Sequence, residues 1–415
     1  MECRNLTPFD ALAYGALDAS DEEHHVFVLK AAYRLAAAGG DGEATTHRCE
    51  LLPGDDAGKL HLRDVFEGET NASSVRAESD LAPFKPRCDV LVRATAWAPG
   101  GQPAERWTAR LRVTAPGEPP PGGDAGAPAP ARRALVDKAV EVCGPRWFER
   151  TAEGFRLTQP EPAASVPVRW EHAFGGRSLV PAPEPGRGPL LDEVCFTNPV
   201  GCGWMESRHL GALSDAGAPA PDRVPAPQIE RPDGRVTRLV VASHPPHAVE
   251  APAMAELAEG YGVRPAGLGC VGRAWTPRLQ RAGTYNDAWV QGRHPFLPDD
   301  FSFAYWNAAP DDQQIPHPGP GLRVELWNLA RPELARDGRV AFELPPHRAF
   351  ALAWIGGLPV PVPAALDTLT VDAEAMVVTC VWRALVARAL GVERMEARFE
   401  LDPRAPLLKL EAARG

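Results

Sequence analysis

Short stretches in which hydrophobic and polar residues alternate recur along the chain, and this period of two predicts β-strands. Residues 89–99 and 107–114 alternate most strictly. Other stretches are rich in β-branched and aromatic residues and end at glycine or proline, which is also typical of strands. On these grounds strands are predicted at residues 24–35, 47–52, 136–150 (two short strands on either side of Gly144 and Pro145), 166–174, 322–330, 339–345, 348–357, 368–386 (with a hairpin turn at 372–375) and 395–401.

Proline and glycine interrupt this pattern often, with 45 and 38 residues respectively. The segments 115–131, 181–188 and 217–227 contain too few bulky apolar residues to pack, and they are predicted to be loops. The best short helix is predicted at residues 251–262 and is expected to end at Gly260 and Gly262. Because no helix separates successive strands, a doubly wound parallel sheet is not expected. The sequence predicts a mainly β protein: two sandwich-like or barrel-like β lobes with long Pro/Gly-rich loops and few short helices.

The length of 415 residues exceeds what one hydrophobic core usually supports, so more than one domain is expected. The run TQPEPAAS, near residue 160, interrupts the strand pattern. We therefore predict an N-terminal β lobe at residues 1–160. A C-terminal β lobe follows at residues 161–415, with a long loop-rich insertion at about 175–320.

A net charge of −10 argues against binding to nucleic acid, which requires a basic face. The eight cysteines are scattered and form no CxxC pair, so no metal site is predicted and the thiols are expected to be reduced. The start of the chain lacks the basic and apolar regions of a signal peptide. No apolar stretch approaches 18 residues, so no membrane insertion is expected. These features predict a cytoplasmic protein.

Aromatic and hydrogen-bonding side chains are most concentrated in a polar-aromatic run at residues 267–314. In this run aromatic residues alternate with arginine, aspartate, asparagine, glutamine and proline. Neither a period of 2 nor one of 3.6 orders these aromatic residues, so the run is neither a plain strand nor an amphipathic helix. Such a mixture suits a fixed, loop-rich surface or a shaped groove. The aromatic residues are Trp275, Tyr285, Trp289, Phe296, Phe301, Phe303, Tyr305 and Trp306.

Enzyme motifs are weak in this chain. Residues 267–272 satisfy G-x-G-x-x-G, but no good strand precedes them and Pro277 blocks the helix that should follow, so a turn is favoured over a nucleotide site. His294 with Asp299 and Asp300 is the most enzyme-like cluster, because a histidine near carboxylates can serve as a general base. The alternative is that the aspartates cap turns.

The polar-aromatic run could bind a protein partner, but two other functions remain open. A hydrolase would require His294, Asp299 and Asp300 to converge in a pocket. A carbohydrate-binding or small-ligand-binding β protein would require Trp275 and Trp289 to be coplanar and exposed beside a groove.

Several motifs, in this combination and order, resemble a family of uncharacterised bacterial proteins found in gene clusters of the type VI secretion system. Members of that family lie beside the VgrG-type spike protein, PAAR tip proteins and toxin effectors. The similar segments are NLTPF (5–9), VLKA (28–31), FKPRCDV (84–90), GPRW (144–147), VRWEHAFGG (168–176), NPVGCG (198–203), WTPR (275–278), AGTYNDAW (282–289), PFLPDDF (295–301) and NAAPDDQQ (307–314). Pro145 stands where the family usually has an acidic residue.

The resemblance implies an adaptor or chaperone that binds and stabilises a cognate toxin effector and helps load it onto the VgrG-type spike, a PAAR protein or both. It implies no enzymatic activity, so no catalytic residue and no cofactor are predicted. The candidate residues for partner binding, which also belong to the family motifs, are Trp275, Arg278, Tyr285, Asp287, Trp289, Pro298, Asp299, Asp300, Asn307, Asp311, Gln313 and Gln314.

Overall fold

The computed structural model describes residues 1–38, 46–117, 131–152, 154–206, 208–234, 264–276 and 278–408. In this part of the chain 27 strands are found, which confirms the mainly β prediction. They are β1 (Glu2–Asn5), β2 (Asp10–Leu17), β3 (Glu23–Ala37), β4 (His47–Leu51), β5 (Val65–Phe66), β6 (Val75–Ala77), β7 (Cys88–Arg93), β8 (Thr95–Trp97), β9 (Arg106–Ala115), β10 (Arg133–Cys143), β11 (Trp147–Thr151), β12 (Gly154–Leu157), β13 (Ser165–Pro167), β14 (Phe174–Gly175), β15 (Arg177–Val180), β16 (Leu191–Val194), β17 (Cys202–Gly203), β18 (Arg223–Pro225), β19 (Ile229–Glu230), β20 (Gln314–Ile315), β21 (Arg323–Trp327), β22 (Arg339–Glu343), β23 (Arg348–Ile355), β24 (Leu358–Pro363), β25 (Ala365–Asp372), β26 (Val377–Ala387) and β27 (Val392–Glu400).

Helices are few in the described residues, as predicted. Two α-helices occur, α1 (His209–Asp215) and α2 (Asp287–Gly292). The 3-10 helices are Gly54–Ala57, Pro99–Gly101, Trp170–His172, Leu279–Ala282, Phe303–Trp306, Asp311–Gln313, Pro332–Leu334 and Arg388–Leu390. The helix predicted at 251–262 and most of the loop predicted at 115–131 lie outside the described residues. Among the described helices, none has both the length and the apolar character needed to cross a membrane.

Three large sheets form the framework, and none of them closes into a barrel. The seven-stranded sheet has the order β2-β3-β26-β25-β7-β20, with β4 also paired to β3. The five-stranded sheet has the order β19-β10-β9-β21-β22, and the four-stranded sheet the order β1-β27-β23-β24. Most pairs are antiparallel, but β25 runs parallel to β7 and β1 parallel to β27. The remaining strands form two- and three-stranded ladders.

One continuous hydrophobic cluster lies between the large sheets. Leu29 from β3, Leu111 from β9 and Ala351 from β23 belong to it, and each is fully buried. Strands from both sides of residue 160 pair within the same sheets, because β25 and β26 lie between β3 and β7. The division into lobes near residue 160 stays a prediction.

Most of the stretches predicted to be strands contain strands, whereas others, such as β2 and β24, were not predicted. The residues predicted as 107–114 form β9, and the predicted hairpin at 368–386 forms β25 and β26. The strand predicted at 166–174 is wrong over its second half. There the chain forms the 3-10 helix Trp170–His172, because the Trp170 ring turns inward and donates from Nε1 to the carbonyl oxygen of Cys270 at 2.8 Å.

The edge strand β24 has the sequence LPVPVP, with proline at every second position. Pro359, Pro361 and Pro363 lie opposite residues of β23, whose other partner among the described strands is β27. Proline has no N–H to donate, so the hydrogen bonds to β23 belong to the intervening residues and the prolines face the open edge. The hydrogen bond from Ala364 N to Ala349 O (3.1 Å) continues this register.

Candidate functional site

The polar-aromatic run at 267–314 has two parts with opposite exposure. Residues 284–300, here called the arm, leave the protein body and return to it. At its neck, Ser302 N donates to Arg281 O at 2.9 Å. Thr284 donates from its amide and its hydroxyl to the two carboxylate oxygens of Asp300, at 2.9 and 2.7 Å. These hydrogen bonds lower the pKa of Asp300, so the neck keeps its charged carboxylate near neutral pH.

The arm presents apolar and aromatic side chains to solvent. Tyr285 is 54% exposed, Val290 59% and Phe296 40%. Trp289 is half-buried between Tyr285 and His294, with ring centroids 4.8 and 5.2 Å away. Exposed aromatic residues grouped in this way are typical of protein-binding surfaces. Val290 and Phe296 were not among the candidate site residues, and the NDAWVQG pattern, which places Val290 beside Trp289 on one short helix, was the available signal.

The arm is held in one conformation by its own hydrogen bonds. Asn286 caps α2 by accepting from Trp289 N at 3.0 Å, and Trp289 Nε1 donates to Phe296 O at 2.9 Å. Arg293 joins the arm to the turn before β3, where its guanidinium contacts both carboxylate oxygens of Asp21 at 2.7 and 3.3 Å. The exposed surface is therefore pre-organised.

The other part of the run is largely buried or half-buried, and Asp89 of β7 anchors its residues 307–309. The Asp89 side chain is fully buried and accepts four hydrogen bonds, from Lys85 Nζ (2.8 Å), Asn307 Nδ2 (3.0 Å), Ala308 N (2.9 Å) and Ala309 N (3.1 Å). Burial acts to lower the pKa of Lys85, but the carboxylates of Asp89 and Asp367 overcome this effect and raise it. The ammonium group therefore stays charged inside the protein.

Gln313 and Arg278 also act inside the protein. Gln313 Nε2 donates to the carbonyl oxygens of Val90 and Leu268 at 2.8 and 2.9 Å. Arg278, which is 2% exposed, pairs through both terminal nitrogens with the carboxylate of Glu78. It also donates from Nε to Tyr305 O at 2.7 Å.

The structure thus divides the twelve candidate residues. Buried residues that hold the run against β7 or support the neck are Trp275, Arg278, Pro298, Asn307, Gln313 and Gln314. Exposed or half-buried residues are Tyr285, Asp287, Trp289, Asp299, Asp300 and Asp311. Of the latter group, all except Asp311 lie on the arm.

The glycines at 267 and 272 lie against tryptophan rings. A Cβ atom on Gly267 would lie 2.9 Å from the Trp170 ring, and one on Gly272 would lie 2.7 Å from Trp275 Nε1. Trp170 and Trp275 themselves meet edge to face, with centroids 5.6 Å apart. Packing against tryptophan rings therefore explains two of the three glycines of the G-x-G-x-x-G pattern, Gly267 and Gly272, without a bound nucleotide.

The geometry required by the two alternative functions is not found. His294 packs on Trp289, Asp299 pairs with Arg293 at 2.9 Å and Asp300 accepts from Thr284. In the described part of the chain, no hydrogen bond joins His294 to either aspartate. Trp275 is buried, so it does not form an exposed coplanar pair with Trp289.

The described residues also contain no cluster of metal-ligating side chains and no disulfide. No three His, Cys, Asp or Glu side chains there are grouped as metal ligands. All eight cysteines lie in this part of the chain and are free. Burial raises the pKa of Cys202 and Cys270 to about 12, which keeps these thiols protonated and poorly nucleophilic.

A clasp around Asn198 supports the Trp170 region. Asn198 Nδ2 donates to the carbonyl oxygens of Trp170 and Phe174 at 2.9 and 3.0 Å. Gly201 packs directly on this clasp. A Cβ atom there would lie 2.5 Å from Asn198 Nδ2 and 2.6 Å from the carbonyl oxygen of Ala173.

We expect Gly201→Ala to lower the free energy of unfolding by about 1–3 kcal/mol, because backbone atoms cannot move aside as a flexible side chain would. The measurement is the thermal unfolding midpoint of the full chain. Gly211→Ala is the matched control, since Gly211 lies in α1 with no atom within 4 Å of its added Cβ. That variant should be neutral or slightly stabilising, and equal midpoints for the two variants would contradict the clasp.

Comparison with known proteins gives one family. The family model described as an uncharacterised protein conserved in bacteria, DUF2169, matches residues 20–383. This range contains the clasp, the buried part of the run and the arm. No curated protein and no solved structure matches the chain.

Proposed function

The chain belongs to the conserved bacterial family DUF2169, and from this premise we propose that it is an adaptor or chaperone of a type VI secretion system. In this role it binds a cognate toxin effector and helps load it onto the VgrG/PAAR spike. The observation that most supports the proposal is the arm, an exposed aromatic surface on a fixed base. The motifs that resemble proteins of type VI gene clusters supply the biological setting.

The arm has the composition of a protein-binding site. Tyrosine and tryptophan contribute most of the binding energy at interfaces, and Tyr285 and Trp289 lie together at the tip. Because the arm is already ordered by hydrogen bonds, little conformational entropy is lost when a partner binds. Asp287 is an exposed carboxylate on the same short helix as Trp289 and Val290, so the matching surface on the effector should be apolar with a basic group beside it.

Binding to the folded effector would also stabilise it. A partner that binds only the native state lowers the unfolded fraction by mass action. An effector whose apolar surface is exposed when it is alone should therefore accumulate in soluble form when the adaptor is present.

The test is a pull-down with the full chain as bait, from cells that express its own gene cluster. We expect recovery of a toxin effector together with a VgrG-type or PAAR protein, and a higher soluble yield of that effector on co-expression. The control bait carries Leu358→Ser, which removes an apolar side chain that is 69% exposed but lies on the β23–β24 hairpin instead of the arm. This bait should recover the same partners as the unchanged chain. Folded bait that recovers neither partner, with no change in effector yield, would exclude the adaptor role.

A further inference from the structure

A cavity of about 480 Å³ lies where the three large sheets meet. It is bounded by the connections between β20 and β21, β22 and β23, and β24 and β25, by Trp382 of β26 and by the stretch after β27. Cavities of about 300–1,000 Å³ are the usual size of small-ligand sites. The arm does not line this cavity, so the cavity requires a separate explanation.

The walls of the cavity are mainly apolar. The buried side chains of Leu322, Leu344 and Leu366 line it, together with several prolines. Among the described residues no aspartate or glutamate lines it, so a cation would find no counter-charge there. Arg348 lines it as well, but its Nη2 already donates to the carbonyl oxygens of two residues in the stretch after β27, Asp402 and Ala405. The walls therefore favour an apolar ligand.

His347 is a polar group of the wall whose hydrogen bonding is defined. It precedes β23, and its Nδ1 lies 3.0 Å from the hydroxyl oxygen of Tyr33. Tyr33 is fully buried, and burial raises the pKa of its hydroxyl, which therefore keeps its proton. Within the described part of the chain, His347 Nδ1 is the only hydrogen-bond partner of this hydroxyl. A buried O–H without an acceptor is costly, so Tyr33 donates to Nδ1.

This hydrogen bond determines which ring nitrogen of His347 carries a proton. Burial lowers the pKa of His347, so the imidazole is neutral at neutral pH. Because Nδ1 is the acceptor, the proton of the neutral ring is on Nε2. Nε2 makes no hydrogen bond to any described residue, and it is not sealed from solvent. The imidazole therefore offers one N–H to a molecule in the cavity.

Trp382 supplies a second N–H to the cavity. Its ring, 4% exposed, packs edge to face on Phe399 with 5.6 Å between the centroids. His347 packs on the same phenyl ring at 5.7 Å, so the two donor rings lie in one part of the cavity. Trp382 Nε1 also has no hydrogen-bond partner among the residues that the structure describes, and it too is not sealed from solvent.

We propose that this cavity binds a small neutral molecule that has an apolar body and a carbonyl oxygen. The oxygen would accept from His347 Nε2 and Trp382 Nε1, and the apolar body would lie against the leucine and proline walls. A ketone, an ester or a tertiary amide has this chemistry. An ionised carboxylate is disfavoured, because both donors are neutral and the burial of a charge is costly. The proposal does not depend on the adaptor role.

The experiment is a fluorine NMR titration of the full chain with two probes of nearly the same shape. Para-fluoroacetophenone has the carbonyl oxygen, and para-fluoroethylbenzene lacks it. We expect the ketone to bind about tenfold more tightly, because two neutral hydrogen bonds together have about this effect. Equal affinities, or no change in the signal of the ketone at millimolar concentrations of probe, would overturn the proposal.

A third probe tests the charge of the ligand. Para-fluorobenzoate has the size of the ketone but carries an ionised carboxylate. We expect it to bind more weakly than the ketone. Tighter binding of the benzoate would contradict a neutral ligand and would indicate that Arg348 holds an anion.

Variants of the two donors locate the site. His347→Phe should reduce the affinity for the ketone to that for the hydrocarbon, and should change the affinity for the hydrocarbon little, since an aromatic ring still fills the wall. Trp382→Phe should weaken ketone binding several-fold with the same selectivity. Trp354→Phe is the matched control, because its N–H bonds to Glu396 at the other end of β23, and both affinities should stay unchanged.

The selectivity of these losses decides between a donor role and a packing role. Equal losses for ketone and hydrocarbon would contradict the assigned hydrogen bonds. If His347→Phe fails to fold because the Tyr33 hydroxyl loses its acceptor, Trp382→Phe decides the question. Nitrogen NMR of the histidine-labelled chain gives a direct check, with His347→Phe to assign the signal if that variant folds. A proton on Nδ1 of His347 in the unchanged chain would contradict the role given to Nε2.

Discussion

Asp89→Asn is expected to lower the free energy of unfolding by about 3–5 kcal/mol, the usual cost of leaving one charge of a buried pair without its partner. Lys85 and Asp89 have side-chain exposures of 6% and 0%. An asparagine has one acceptor oxygen in place of two, so it also leaves part of the donor set from Asn307, Ala308 and Ala309 unpaired. The measurement is urea unfolding followed by tryptophan fluorescence and circular dichroism.

A second pair in the chain provides the control. Lys59 and Asp55 are also four residues apart and 3.2 Å from each other, but their side chains are 71% and 96% exposed. Asp55→Asn should change the stability by less than about 0.5 kcal/mol. In the double variant Lys85→Met/Asp89→Asn no unpaired ammonium remains, so it should recover part of the loss. If Asp89→Asn and Asp55→Asn unfold at the same urea concentration, the anchoring role of Asp89 is wrong.

The double variant Tyr285→Ser/Val290→Ser should weaken effector binding by about 30-fold or more, since truncation of a central aromatic residue commonly costs 2 kcal/mol or more. The side chains of these residues make no hydrogen bond in the described structure, and both are more than half exposed. The thermal midpoint should therefore stay within about 2 °C of the unchanged chain. The affinity is measured by calorimetry with the effector recovered in the pull-down.

The same number of exposed apolar side chains can be removed elsewhere as a matched control. Leu358→Ser/Val360→Ser changes residues that are 69% and 41% exposed on β24. We expect that variant to keep the effector affinity of the unchanged chain. If both double variants lose affinity, the loss comes from replacing exposed apolar side chains by serine anywhere on the surface, and not from the arm. If both keep their affinity, the partner binds away from the arm.

Strands with a strict alternating pattern could be predicted from the sequence because alternation is a local property. The pattern at 107–114 needs only the neighbouring residues to predict β9. The position of β25 and β26 between β3 and β7 is different, since it joins residues more than 270 positions apart and nothing local encodes it. The three-sheet arrangement therefore required the structure.

The candidate site shows the same limit on a smaller scale. Arg278 and Tyr285 lie in adjacent motifs of one run, but the first is buried against Glu78, 200 positions away, and the second faces solvent. Lys85–Asp89 and Asp55–Lys59 have the same spacing and opposite burial. The composition of residues 267–314 was enough to single out this run as a candidate binding surface. Which of its residues are buried and which face solvent depends on contacts with residues far away in the sequence, and these contacts are visible only in the structure.

The proline-alternating strand β24 has a consequence for how copies of the chain meet at high concentration. Its outer edge offers carbonyl oxygens but no N–H groups, so another strand placed there would find acceptors without matching donors. Intermolecular sheet extension, the first step of many fibrous aggregates, is thus blocked at this edge. The protein can therefore reach high concentration without this strand serving as a template for sheet extension.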